Sequence, residues 1–280
     1  MIPKERHPYM LWALVALGFI ACYWGTFDWL RYKFDSQDSY YSHGYLIPFV
    51  SAYLVYLKRK DIMDAPEGSS PVGLGVVLAA LLVHVLGTLG DINFVSGFSM
   101  VLYCTGASLY LLGPRVTRLI AFPLFFLVFM CPIPEGYIDL VAIPFKSMAT
   151  TIALAVVQTL GIPFYREGFI VHLAQSTFVV GTPCNGMRSL ISFAALGFLL
   201  VYMFPIARWK KAFFLALIPP LALVLNGVRI ALLLWIAENY GEQAASPESY
   251  LHDGSGLLVF VIGFVAMVFL MRRFDEQKNA

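Results

Sequence analysis

The sequence predicts an all-α, polytopic membrane protein with about eight transmembrane helices, one interfacial or re-entrant helix and a small extracytoplasmic hairpin. Of the 280 residues, 59% are hydrophobic and only 13% are charged, and the mean hydropathy is +0.75. Soluble domains have about 45–50% apolar and about 25% charged residues. Several uncharged stretches reach the roughly 20 residues that cross a bilayer core. We expect a single integral membrane domain over residues 1–280.

The order of apolar runs and basic clusters predicts the topology. The runs lie at 10–28, 44–57, 72–89, 94–112, 117–133, 138–160, 187–205, 209–236 and 255–271. The positive-inside rule places the basic clusters, such as those at 58–60 and 207–211, in the cytoplasm, together with both termini. The run at 10–28 is not followed by a small-residue cleavage site, so we expect it to be retained as a helix.

The run at 138–160 does not fit the alternation of cytoplasmic and outer loops that this rule predicts. If it crossed completely, the basic cluster at 207–211 would face outward, against the charge rule. Pro144 and Lys146 lie early in the run, which also disfavours a plain span. We therefore expect an interfacial or re-entrant helix that begins and ends on the outer side.

The stretch 165–182 differs from the runs around it. Apolar and polar residues roughly alternate, and β-branched residues are common, which is typical of strands. Because strand backbone cannot face lipid, this segment must lie at the outer surface or within the protein. We interpret it as a small hairpin that leads to Cys184.

An arginine within an apolar helix is a functional candidate, since an ionisable group there costs a few kcal/mol. Arg229 lies in "LVLNGVRIALLLW", three residues after Asn226 and so on the same helix face. It lies about two turns, roughly 13 Å, below the outward end of its helix near Glu238. This depth implies a polar cavity that opens outward. The structural alternative is an ion pair with a buried carboxylate.

Two further residues flank the starts of apolar helices. Cys184 follows Pro183 and precedes Asn185-Gly186, a turn signature, and a helix starts directly afterwards. A helix N-terminus and the nearby Arg188 lower a thiol pKa, so we expect a reactive thiolate. His252 lies just before the last helix, in "SYLHDGSGLLVF".

Each of these residues alone is more often structural than functional. Cys184, His252 and Arg229 together would supply a nucleophile, a base and an oxyanion stabiliser on the outer side of the membrane. The combination predicts a thiol acyl-transfer site.

The sequence predicts neither a cofactor nor a metal. The four cysteines form no CxxC pair, and no histidines are spaced as ligands. A net charge of +2 gives no indication of nucleic-acid binding.

The chain resembles the exosortase/archaeosortase family of membrane cysteine transpeptidases over nearly its whole length. "CNGMRSL" is similar to the family's cysteine motif, "LNGVRI" to its arginine motif and "LHDGSG" to its histidine motif. The segment "YSHGYLIPFVSAYLVYLKRK" resembles an early segment of the family. The family more often has serine where Asn185 stands.

This resemblance implies an activity, roles for residues and a location. Cys184 would form the acyl-enzyme, His252 would act as acid and base, and Arg229 would stabilise the oxyanion. Arg188 and Asn226 would bind substrate or support the cavity, and His43 would line it. The implied partners are membrane lipid and secreted proteins with a C-terminal Pro-containing motif, a transmembrane helix and a basic end. The implied location is the cytoplasmic (inner) membrane, with the site facing the periplasm.

Two alternatives remain open at the level of the sequence. An anion-binding transporter would bind its anion with Arg229 and Arg188 in an outward cavity. The helix that carries Arg229 is interrupted by Pro219-Pro220 and Gly227, as is common in transporters. No inverted repeat is visible, and in a transporter Cys184→Ser would be nearly silent. A thiol oxidoreductase would need a second cysteine near Cys184, for which Cys131 is the available candidate.

Overall fold

The computed structural model describes residues 7–36, 39–66, 68–181, 184 and 186–279. The chain forms two compact units, Met1–Pro132 and Ile133–Ala280. Pro183 and Asn185, which flank Cys184 in the predicted turn, lie outside the described residues. The expectation of one domain stays a prediction.

The first unit consists of helices. In chain order they are α1 (His7–Cys22), α2 (Trp24–Asp35), a 3-10 turn (Ser42–Tyr45), α3 (Leu46–Leu57), α4 (Arg59–Met63), α5 (Pro71–Leu89), α6 (Asn93–Leu111), α7 (Gly113–Leu119), α8 (Ala121–Phe126) and a second 3-10 turn (Leu127–Met130).

Small and polar residues allow these helices to pack closely. A Cβ added to Gly106 of α6 would lie only 2.8 Å from the backbone nitrogen of Val77 in α5. Ser96 Oγ of α6 lies 2.7 Å from His84 Nδ1 of α5 and 2.5 Å from Thr26 Oγ1 of α2. Such interhelical hydrogen bonds stabilise helices that have no hydrophobic driving force between them in lipid.

The second unit combines long helices with a small sheet. Its elements are α9 (Glu135–Thr159), β1 (Phe164–Glu167), β2 (Ile170–Leu173), β3 (Thr177–Val179), α10 (Met187–Met203), α11 (Arg208–Tyr240), α12 (Glu242–Ala245) and α13 (Tyr250–Asn279). The strands form an antiparallel sheet in the order β1-β2-β3. The predicted hairpin is therefore confirmed as strand structure, with one strand more than expected.

The sheet and the candidate cysteine share one hydrophobic core with two of the helices. Val157 of α9, Val171 of β2 and Leu234 of α11 are fully buried there, and Cys184 is 2% exposed. A Cβ at Gly227 of α11 would lie 2.7 Å from the Ile152 side chain of α9, so the two helices are in close contact. This packing fixes the start of α10 against α9 and α11.

The all-α, multi-pass membrane fold is confirmed, but the count of eight spans is not. Among the described residues, five helices are long and apolar enough to cross a membrane: Pro71–Leu89, Asn93–Leu111, Glu135–Thr159, Arg208–Tyr240 and Glu242–Asp275. The pair Gly113–Leu119 and Ala121–Met130, bent by 62°, would make a sixth span.

Three of the predicted spans coincide with helices that are each shorter than a bilayer core. The helices α1, α3 and α10 have 16, 12 and 17 residues. At about 1.5 Å per residue, none reaches the roughly 30 Å of a bilayer core. The backbone hydrogen bonds continue from α1 into α2, since the Tyr23 N–H donates to Phe19 and the Tyr23 carbonyl accepts from Phe27.

The run at 138–160 forms the continuous helix α9, which passes through Pro144 without a break. Its length and composition are sufficient for a complete span. An unbroken helix fits an interfacial placement or a full crossing rather than a re-entrant turn. Its depth in the bilayer and the orientation of the termini stay predictions.

Candidate active site

Cys184 and His252 lie side by side although 68 residues separate them in the chain. Cys184 stands in the connection between β3 and α10, and its Sγ atom is 3.9 Å from Nε2 of His252. His252 lies in the first turn of α13 and is 3% exposed. The thiol can therefore donate its hydrogen to the imidazole in a site shielded from bulk water.

The hydrogen bonds of His252 determine which of its nitrogens can accept that proton. Its Nδ1 atom lies 3.2 Å from the carbonyl oxygen of Ala245 at the end of α12. A carbonyl oxygen only accepts, so Nδ1 carries the hydrogen and Nε2 presents its lone pair to the Cys184 thiol. This tautomer is the one that a general base for Cys184 requires.

Asn226 holds the backbone of the cysteine in place. It is 3% exposed, and its Nδ2 atom donates a 2.9 Å hydrogen bond to the Cys184 carbonyl oxygen. Asn226 therefore holds the Cys184 backbone, and its predicted role in substrate binding or in supporting the cavity stays a prediction.

Gly186, directly before α10, keeps this contact possible. Its φ is +76°, and an added Cβ would lie 2.8 Å from the Asn226 Cγ and Nδ2 atoms and 2.9 Å from a ring carbon of Phe145. A side chain at this position would collide with the residue that holds Cys184.

Arg229 is bound to the helix turn that carries His252. Its Nε atom donates to the Ser255 hydroxyl at 3.3 Å, and its Nη2 atom donates to the His252 carbonyl at 3.5 Å. The Ser255 hydroxyl in turn donates to the His252 carbonyl at 2.6 Å. A Cβ at Gly256 would lie 3.3 Å from Nη2, so the glycine leaves space for the guanidinium.

The resting state of the thiol differs from the sequence-based expectation. Burial raises the pKa of Cys184, while the positive charges of Arg229 and Lys146 act in the opposite direction and only partly compensate. The expected lowering of the pKa by Arg188 and the helix N-terminus is wrong because desolvation of the thiolate dominates. A raised pKa favours the neutral thiol, so a nucleophilic role for Cys184 would require transfer of its proton to a base such as His252.

A cavity of about 240 Å³ opens beside the reacting pair. Cys184 and His252 line it together with residues of β3 and with Glu242, Ala245, Ser246 and Pro247. The cavity therefore reaches both the thiol and the imidazole.

The structure places the remaining sequence candidates as follows. Arg188 lies exposed in the first turn of α10, and its charge acts on Arg229 and His252. His43 lies in the first 3-10 turn of the first unit, where burial lowers its pKa to about 4 against a weaker effect of its hydrogen bond to the Phe129 backbone. Its predicted role in the cavity stays a prediction.

Sequence reasoning missed three contributors to the site. Ala245 acts through its carbonyl oxygen, for which no side-chain signal exists. The Ser255 hydroxyl connects Arg229 to His252, a contact between two helices that the sequence does not show. Lys146, which entered the sequence argument only through the topology of the run at 138–160, lies with Nζ 3.9 Å from the centre of the Phe169 ring and exerts its charge on Cys184.

The described residues contain no group of three or more His, Cys, Asp or Glu side chains that could hold a metal ion. All four cysteines are free thiols. The absence of cofactors from the reaction stays a prediction.

Comparison with known proteins places the chain in a family. No curated protein and no solved structure matches it. A scan of protein families finds the transmembrane exosortases, whose pattern matches residues 29–269 and so includes every site residue described above. We conclude that the chain belongs to the transmembrane exosortase family.

Proposed function

We propose that this protein is a membrane cysteine transpeptidase or protease that removes C-terminal sorting tails from secreted proteins through a thioester acyl-enzyme. The contact between Cys184 Sγ and His252 Nε2, at 3.9 Å beside an open cavity, supports this proposal most strongly. Membership of the exosortase family supports the same chemistry.

The first half of the reaction begins with transfer of the thiol proton from Sγ to His252 Nε2. The sulfur then attacks the scissile carbonyl carbon, and the carbon–oxygen double bond opens to an oxyanion. When this intermediate collapses, the carbon–nitrogen bond breaks and the protonated imidazole gives its proton to the leaving amine. The N-terminal part of the substrate remains bound to Cys184 as a thioester.

Arg229 is the candidate for stabilising the negative charge of the oxyanion. Its bonds to Ser255 and to the His252 carbonyl hold the guanidinium against the turn that carries the base. A pre-oriented cation at this position stabilises the transition state without reorganisation during the reaction. The same charge favours the thiolate that forms when His252 takes the proton.

The second half of the reaction repeats these steps with an incoming nucleophile. His252 removes a proton from water or from an amine or hydroxyl group of an envelope acceptor, and that nucleophile attacks the thioester. The carbon–sulfur bond breaks, and His252 returns the proton to Sγ. Water as nucleophile gives proteolysis, and an acceptor group gives transpeptidation.

The proposed substrates are secreted proteins whose tail contains a Pro-Glu-Pro-like motif, a transmembrane helix and a basic end. Such a tail crosses the same membrane as the enzyme and carries its basic end on the cytoplasmic side. The site would then face the periplasm of the inner membrane, with both enzyme termini in the cytoplasm. Membrane lipid surrounds both proteins.

Processing of a co-expressed secreted reporter with this tail tests the proposal. We expect the wild type to remove the tail and Cys184→Ala to leave it intact. Removal of the base in His252→Ala is expected to slow processing by about 10²- to 10⁴-fold. Loss of the oxyanion stabiliser in Arg229→Gln is expected to cost about 10²- to 10³-fold.

Two matched variants control for the loss of a thiol and of a cation. Cys22→Ala removes an exposed thiol of the first unit, and Arg166→Gln removes a cation that bonds to Gly168 and Thr151 outside the site. Both are expected to process the tail like the wild type. Equal processing by wild type and Cys184→Ala would show that Cys184 is not the nucleophile.

A further inference from the structure

β3 is an edge strand whose outer side is directed away from the rest of the sheet. Among the described residues, the strand order β1-β2-β3 gives β3 a strand partner on one side only, and Val179 is 58% exposed. An edge strand presents unpaired N–H and C=O groups that can pair with a further chain.

The register of the ladder shows which groups of β3 point outward. The Val180 N–H donates to the Phe169 carbonyl, and the Leu173 N–H donates to the Ser176 carbonyl. Antiparallel pairs alternate between bonded and non-bonded, so Ser176, Phe178 and Val180 bond toward β2. The backbone N–H and C=O groups of Val179 therefore point to the free edge, as do those of Thr177.

This free edge leads to the reacting thiol. Thr177, Val179 and Gly181 line the same cavity as Cys184 and His252. The Gly181 carbonyl accepts the Cys184 N–H at 3.2 Å, which fixes the connection between the strand and the nucleophile. Glu242 and Pro247 also line this cavity, so the edge of β3 forms part of its wall.

We propose that the free edge of β3 binds the substrate segment next to the scissile bond as an additional, extended β-strand. The inference rests on the proposed function and names the binding mode of its peptide substrate. One substrate residue donates its N–H to the Val179 carbonyl and accepts the Val179 N–H. Main-chain bonds then supply affinity, and the cavity selects the side chains, as in other cases of strand addition.

A proline-containing motif fits this mode in one register. Successive residues of a strand direct their backbone groups to opposite edges. Two prolines separated by one residue can both turn away from β3, where their missing N–H is not needed. The residue between them then carries both bonds to Val179.

The first test compares Val179→Pro with Val179→Ala in the reporter assay. Proline removes the outward N–H and places its ring where the substrate strand would approach, but it leaves the bonds between β2 and β3 intact. Val179→Ala shortens the same side chain but keeps the outward N–H, so we expect processing by Val179→Pro to fall at least about tenfold below that of Val179→Ala. The alkylation rate of Cys184 and the melting temperature should be unchanged in both variants.

The second test varies the substrate and does not depend on the folding of a variant. Purified wild-type protein is given synthetic tails that carry a single N-methyl group at successive non-proline residues within the motif and on both sides of it. We expect cleavage to alternate between sensitive and insensitive positions with a period of two residues, with the residue between the prolines sensitive.

The outcomes separate this inference from the function on which it rests. If the wild type cleaves tails, then equal cleavage by Val179→Pro, or uniform tolerance of N-methyl groups, overturns strand addition and leaves the acyl-transfer proposal standing. If the wild type cleaves no tail while Cys184 remains reactive to alkylation, the proposed function fails and the inference fails with it.

Discussion

Gly186→Ala is expected to disable the site through a single methyl group. The φ of +76° disfavours any residue with a Cβ, at a cost of about 1–2 kcal/mol. The new carbon would also lie 2.8 Å from the Asn226 Cγ atom, which is at least about 0.7 Å closer than non-bonded carbons normally pack. Such overpacking typically adds about 1–3 kcal/mol.

The displacement would reach the nucleophile through one hydrogen bond. Asn226 donates to the Cys184 carbonyl at 2.9 Å, and a shift of about 0.7 Å would take that contact beyond hydrogen-bond distance. Misplacement of a reacting group by about 1 Å can cost about 100-fold in rate. We therefore expect both a lower melting temperature and a loss of reporter processing.

The assay is thermal unfolding of the purified protein in detergent, together with reporter processing in cells. Gly254→Ala is the matched control, because it lies in the first turn of α13 with no atom within 4 Å of an added Cβ and without a positive φ. Since alanine is favoured over glycine within a helix, this control should be neutral or slightly stabilising. A Gly186→Ala protein as stable and as active as the wild type would refute the assigned geometry.

Three further predictions follow from contacts of the site. Asn226→Leu keeps the branched shape but removes the donor to the Cys184 carbonyl, so we expect destabilisation of about 1–3 kcal/mol. Chemical unfolding in detergent checks this, and an unchanged free energy of unfolding would contradict the contact. Ser255→Ala removes the acceptor of Arg229 Nε, and we expect slower tail processing with an unchanged alkylation rate of Cys184; unimpaired processing would show that Ser255 does not position Arg229. Burial raises the pKa of Cys184, so the thiol is neutral at pH 7 and its reactive thiolate form becomes more populated at higher pH. The rate of its alkylation by a small neutral reagent should therefore increase from pH 7 up to at least about pH 9, close to the ordinary pKa of a thiol. Arg229→Gln should react more slowly at each pH because it loses a cation that favours the thiolate, and a rate already constant at pH 7 would indicate a preformed thiolate instead.

The sequence identifies the residue types of the site because they are chemically unusual in an apolar chain. Arg229 is recognisable as a cation deep in a helix, and Asn226 shares its face by spacing alone. The strand character of 165–182 is visible from its alternation.

The contacts between distant residues cannot be read from one sequence. The approach of Cys184 to His252 depends on how α10, α11 and α13 pack, and the orientation of the imidazole depends on a backbone carbonyl. The error over the thiol pKa has the same origin, since local sequence shows the nearby charges but not that Cys184 is 2% exposed. The 12-residue α3 illustrates a further limit of the sequence. An apolar run predicts that its residues are buried in protein or in lipid, but the length of the helix that forms there depends on the neighbouring turns.

Trapping of the acyl group tests the central claim most directly. The purified wild type is given a tail peptide in the presence of neutral hydroxylamine, and the mass of the released N-terminal fragment is measured. A thioester on Cys184 predicts a fragment that ends in a hydroxamate, and Cys184→Ala should give none. If the fragment always ends in a free carboxylate while cleavage proceeds, or if Cys184→Ala gives the same products, no acyl-enzyme forms on Cys184 and the account is contradicted.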